Sequence, residues 1–171
     1  MGKANPPHFR KINRPPQDEG WAWLTAEMLA APAFRYLTGP ALRVLLRLML
    51  EHVQHAGQEN GNLPVTYDDL ENYGVRRHGI CKAIDLLVAM GWVDISQPGV
   101  AGKGIGRSPT HFRLTWLPEP DGSRATNRWK TVKDDAQASE IVRRVEDGRV
   151  KRPGPRTRVN GKWQAPANYR E

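Results

Sequence analysis

The sequence predicts an α+β domain in which helices pack on a small antiparallel sheet and the ends of the chain are basic and non-globular. Three observations predict it. Apolar residues recur at helical spacing through "TGPALRVLLRLMLEHVQHAG" and again through "HGICKAIDLLVAM". The runs "WVDIS" and "THFRLTW" have strand character instead; in the second, Phe112, Leu114 and Trp116 alternate with His111, Arg113 and Thr115. The net charge of +8 is unevenly spread, with four Lys/Arg against two acids in residues 1–20, seven against one in 148–171, and fifteen of each between.

Each element follows from local chemistry. Pro6, Pro7, Pro15 and Pro16 among polar residues make residues 1–20 a flexible extended arm. Thr25 is an N-cap candidate for a short helix that Pro32 ends, and "PAFRYL" adds a further helical turn. Thr38 and Pro40 open the longest helix, from about Pro40 to His55, with Leu42, Leu45, Leu46, Met49 and Val53 expected on its buried face. Asn60–Gly61 signals a turn before a short strand, "LPV". Thr66 and Asp69 form a capping-box pattern that starts "YDDLENY". Gly74 stops that helix, Val75 fills the turn, and a second helix runs from about Arg76 to Met90, where Gly91 ends it. Beyond Trp116, "LPEPDGS" reads as a linker and "DDAQASEIVRRVEDG" as one helix with Ala138, Ile141, Val142 and Val145 on a narrow apolar stripe, to be covered by the domain or by a second copy.

Helix, short strand, helix, turn, helix, strand, glycine-rich connection, strand is the order of a winged helix-turn-helix domain, with a three-helix core and a small β-wing. The division expected is an arm over residues 1–20, the DNA-binding domain over 21–116, a linker and C-terminal helix over 117–147, and a basic disordered tail over 148–171. The stretch "ENGNLPVTYDDLENYGVRRHGICKAIDLLVAMGWVDI" resembles the N-terminal winged-helix domains of phage and plasmid replication proteins, including the phage replication O-protein type, and small winged-helix proteins of bacterial mobile elements. The resemblance covers residues 21–116 and implies a fold shared with transcription factors.

Cations at the start of the second helix of the pair are the main functional signal. Arg76, Arg77 and His78 sit where the helix dipole disfavours positive charge, which implies an anion there in use. Ile80, Ile84, Leu87 and Val88 form the expected buried face, with Cys81 at its margin, leaving His78, Gly79 and Lys82 at the end of a recognition helix that would enter a major groove. Arg76 and Arg77 would hold phosphates or a guanine edge, Lys82 a base or phosphate, and Gly79 would admit close backbone approach. Lys103 and Arg107 on the glycine-rich connection, and Arg113 on the following strand, would extend the contact. The tail adds salt-sensitive affinity.

Several function classes find no support. "GVAGKGIGR" lacks the Ser or Thr after Lys103 and the following helix that a phosphate loop requires. His52 and His55 lack a third metal ligand at suitable spacing, and Cys81 is expected to be buried. Asp68, Asp69 and Glu71 read as dipole partners of their helix, and no nucleophile, base and orienting group recur together, so neither catalysis nor a cofactor or small-molecule ligand is expected. One cysteine, no signal peptide and no apolar run near the roughly 20 residues of a membrane span predict a cytoplasmic, nucleoid-associated protein without membrane attachment. Double-stranded DNA is the expected partner, with homodimerisation open. The function expected is sequence-specific DNA binding, as a transcriptional regulator or replication initiator of a bacterial or phage mobile element. The alternative is a protein-protein adaptor or antagonist with incidental basic ends.

Overall fold

Three helices begin at a threonine whose hydroxyl accepts a backbone N–H three residues on: Thr25 from Met28 at 3.2 Å, Thr38 from Ala41 at 3.4 Å and Thr66 from Asp69 at 3.1 Å. Each satisfies a donor that the first helical turn leaves without a partner. These caps start α1 (Ala26–Ala30), α3 (Gly39–Gln54) and α4 (Tyr67–Asn72), while Pro32 opens the single turn α2 (Pro32–Arg35). The structure, a computed structural model, describes residues 19–100 and 108–150 and the strands at 157–159 and 162–164. Residues 1–18, most of the expected arm, and 101–107, which hold Lys103 and Arg107, lie outside the described residues.

At Thr66 the capping box is reciprocal: the Asp69 carboxylate accepts the Thr66 backbone N–H at 2.8 Å. Both that hydrogen bond and the one from the Thr66 hydroxyl favour the charged carboxylate, so the Asp69 pKa lies below its ordinary value, the hydroxyl contributing most. Gly74, at φ +87°, then turns the chain, and buried Val75 leads into α5 (Arg77–Ala89). Strand β1 (Leu63–Val65) precedes this pair, and β2 (Val93–Gln97) and β3 (Thr110–Leu114) follow it. The sheet is antiparallel in the order β1-β3-β2; Leu63 and Ile95 both register with Phe112, and an isolated antiparallel bridge pairs Val100 with Ser108 beyond the ends of β2 and β3.

Two packing expectations change. Helix α3 buries Ala41, Val44, Leu45, Leu48 and Met49, whereas Leu46 is 39% exposed and Leu42 and Val53 are half-buried. Leucines surround this helix, so their period leaves its rotation open, and packing against α5 and β1 selects the face. Arg113 on β3 and Thr115 just beyond it are as buried as Phe112 and Leu114, because Glu119, Arg124 and Arg128 from the following segment meet Arg113 and Asp94 on the second face of the sheet. Arg113 therefore leaves the expected DNA-contact set: its guanidinium lies 2.9 Å from Glu119 and 3.7 Å from Asp94, and donates to the Arg124 carbonyl at 2.8 Å.

The expected linker is thus part of the fold. Trp129, in a 3-10 turn (Arg128–Thr131), stacks parallel on Trp92 with ring centroids 5.2 Å apart, while Phe34 and Trp116 meet Trp92 edge-on. Gly91, at φ +79°, permits this crossing: a Cβ there would lie 2.6 Å from the Arg128 carbonyl carbon. Helix α6 (Asp135–Glu146) then buries Ala138 and Val145 and packs on α5, so the domain itself covers the predicted apolar stripe. Arg35 of α2 pairs with Asp135 at its start. Within the segment expected to be disordered, β4 (Thr157–Val159) and β5 (Lys162–Gln164) pair as an antiparallel hairpin.

Candidate nucleic-acid interface

The α4–turn–α5 pair presents its polar side to solvent. Asp68, Glu71, Asn72, Tyr73, Arg76, Arg77 and His78 are all exposed, and Leu70, Val75 and Ile80 lie beneath them in the core. Buried Ile80, Ala83, Ile84, Leu86, Leu87 and Val88 fix the rotation of α5, leaving His78, Cys81, Lys82 and Asp85 along its outer side. Cys81 is exposed, contrary to the expected burial. Gly79 is half-buried, and a Cβ placed on it would meet no atom of the other described elements within 4 Å, so their packing does not require a glycine there.

The cations of this surface have different surroundings. Arg77 donates to Asp68 at 2.8 Å and to Glu71, and these carboxylates, Asp68 foremost, hold its pKa above the usual arginine value. Lys82 Nζ lies 3.4 Å from the carbonyl of Glu146, in the last turn of α6. Arg76 occupies the N-cap position of α5, with its side chain in solvent. Sequence reasoning missed the acidic clamp on Arg77, although acids at positions i and i+3 of α4, just before a tight turn, are its signal. It also missed Asn60, whose side chain closes the far end of the sheet by accepting from Leu114 N at 2.8 Å and donating to the carbonyls of Leu114, Leu117 and Pro118.

No protein-family model, curated protein or solved structure matches this chain. Residues 19–100 and 108–150 hold fourteen Lys/Arg against sixteen Asp/Glu, whereas residues 1–18, 101–107 and 151–171 hold twelve against two. Residues 19–100 and 108–150 are thus slightly acidic, and the whole surplus of positive charge lies in the other three stretches of the sequence.

At the end of α3, His55 Nε2 lies 3.0 Å from Glu51 and its Nδ1 3.7 Å from Glu59. Burial and neighbouring His55 lower the pKa of His52. Among the described residues, no group of three His, Cys, Asp or Glu side chains could hold a metal ion, and no helix is long and apolar enough to cross a membrane.

Proposed function

We propose that residues 21–116 form a winged helix-turn-helix that binds double-stranded DNA, as a transcriptional regulator or replication initiator, with α5 as the recognition helix and the β2–β3 hairpin as the wing. The observation that carries this reading is the open first turn of α5, where solvent-exposed Arg76 and His78 precede Gly79 and no described residue fills the space above that glycine. A backbone without a side chain, beside cations at a helix start, suits close approach to a phosphate or base edge. Lys103 and Arg107 would follow the backbone from the wing, and the tail would add nonspecific affinity. No group in this reading performs catalysis.

A protein-binding role is the second reading, and the pairing of Arg77 with Asp68 and Glu71 favours it by lowering the positive charge of the α4–α5 surface. Titrating labelled duplexes with the full chain at two salt concentrations separates the two. DNA binding predicts tight, salt-dependent association, and Arg76→Ala should weaken it by about 1–3 kcal/mol for each base that this arginine reads. Absence of duplex binding at low salt would leave the adaptor reading.

A further inference from the structure

A depression opens where the C-terminal half of α3 meets the end of β3. Buried Met49, Leu114 and Trp116 form its floor, and Trp116 is itself held by the edge-on contact with Trp92. The residues that precede α1 close it on the other side. Gly20 brings them there: a Cβ on it would lie 2.4 Å from Cγ1 of Val53, so the missing side chain lets this segment lie against α3. Exposed Trp21 and Trp23 then line the depression at its rim. The space is about 290 Å³ with its open mouth included, at the lower end of the range for small-molecule sites. Its walls come from three stretches far apart in the chain, so no local motif marks it in the sequence.

The chemistry of the lining narrows the occupant. Among the described residues, no Lys, Arg, Asp or Glu lines the depression, so a charged molecule entering it would lose hydration and gain no counter-charge. The titratable member of the lining is His52. Burial and neighbouring His55 lower its pKa, which keeps the ring neutral at neutral pH. Its Nε2 faces Gly57, on which a Cβ would lie 3.6 Å away, whereas its Nδ1 is buried and has no hydrogen-bond partner among the described residues. A buried nitrogen left without a partner is costly, and a single polar group on an occupant would satisfy it. Tryptophan rings in turn pair best with a flat ring, offset-stacked or edge-on. Shape, absence of charge and one unmet nitrogen thus describe the same kind of molecule.

We propose that this depression binds a small uncharged aromatic molecule of one or two rings, which packs between the rim tryptophans and the floor of Met49 and Trp116 and exchanges one hydrogen bond with His52. The site stands apart from α5, so it holds or fails independently of DNA binding. The probe is para-fluorophenol, titrated into the full chain at neutral pH and followed by its fluorine resonance, beside para-fluorobenzoate, para-fluorobenzylammonium and fluorobenzene. Saturable binding of the phenol with a dissociation constant of about 1 mM or tighter is expected, and binding of the two charged probes weaker by about tenfold or more. Trp21→Ala with Trp23→Ala, which removes exposed side chains and leaves the core intact, should weaken the phenol by about tenfold. His52→Phe keeps a ring and removes the nitrogens, so it should weaken the phenol by roughly threefold to tenfold and leave fluorobenzene at its wild-type affinity. Equal binding of charged and uncharged probes, or a phenol affinity untouched by loss of both tryptophans, overturns the site. So does absence of saturable binding by the full chain, whether residues 1–18 or a second copy fill the space.

Discussion

Arg113 occupies a strand position that alternation assigns to solvent, yet its side chain is 3% exposed. Alternation identifies two faces but not whether a later segment covers the second one, and here Glu119 and Asp94 supply its partners from beyond the strand. Arg113→Ala should destabilise the fold by about 3–5 kcal/mol in chemical denaturation, because it removes the guanidinium that faces the buried Glu119 carboxylate, while Asp94 keeps Arg128. DNA affinity of the folded fraction should stay unchanged. Gly79 offers the opposite test. Its added methyl meets none of the other described elements, so Gly79→Ala should raise stability by up to about 1 kcal/mol through helix propensity and yet weaken duplex binding if the backbone is approached there. A gain in stability with unaltered affinity removes Gly79 from the interface. The clamp on Arg77 predicts that Asp68→Asn with Glu71→Gln tightens nonspecific DNA binding, since two negative charges leave the surface and a cation is released; shift assays at low salt measure it.

Helix ends were the most legible features of the sequence. Thr25, Thr38 and Thr66 cap as expected, Gly74 and Gly91 turn the chain where expected, and β1 and β3 fall within the runs that predict them while β2 ends one residue beyond its run, because these signals act over three or four residues. Thr66→Ala should accordingly cost about 1 kcal/mol, read from the thermal midpoint. The rotation of α3 was not legible, since a helix with leucines all round acquires its buried face only from its neighbours. The location of α5 was legible from its period and flanking glycines, but the pairing of its arginine across the turn depends on how α4 and α5 meet in space. The stripe on α6 was legible and its docking site was not. Val145→Asp should detach that helix, raising hydrogen exchange over residues 135–146 before global unfolding.

At the scale of the molecule, the uneven distribution of charge along the sequence predicts that salt acts chiefly on contacts made by residues 1–18, 101–107 and 151–171. Truncation after Asp147 should leave the melting temperature nearly unchanged while weakening binding to random duplex. Truncation after Trp116 should prevent stable folding, because it removes Trp129 from Trp92 and Glu119 from Arg113. Acid weakens the fold by a separate route. Burial lowers the pKa of both His52 and His111, with His55 adding to the effect at His52. As pH falls below about 6.5, the unfolded chain binds protons that the folded chain resists, so stability present at neutral pH declines. Denaturant midpoints measured from pH 7.5 to 5.5 should fall, and His52→Gln should flatten the decline.

The stack of Trp129 on Trp92 also has an optical consequence. Trp129 stands just before the helix that delivers the tail, so release of that helix draws one indole off the other and wets both. Trp21 and Trp23 already stand in water, at 56% and 41% exposure, and supply a constant red-shifted background. Emission of the unlabelled chain would thereby follow attachment of its C-terminal segment, and a red shift without loss of helical circular dichroism would mark the moment at which that segment comes free.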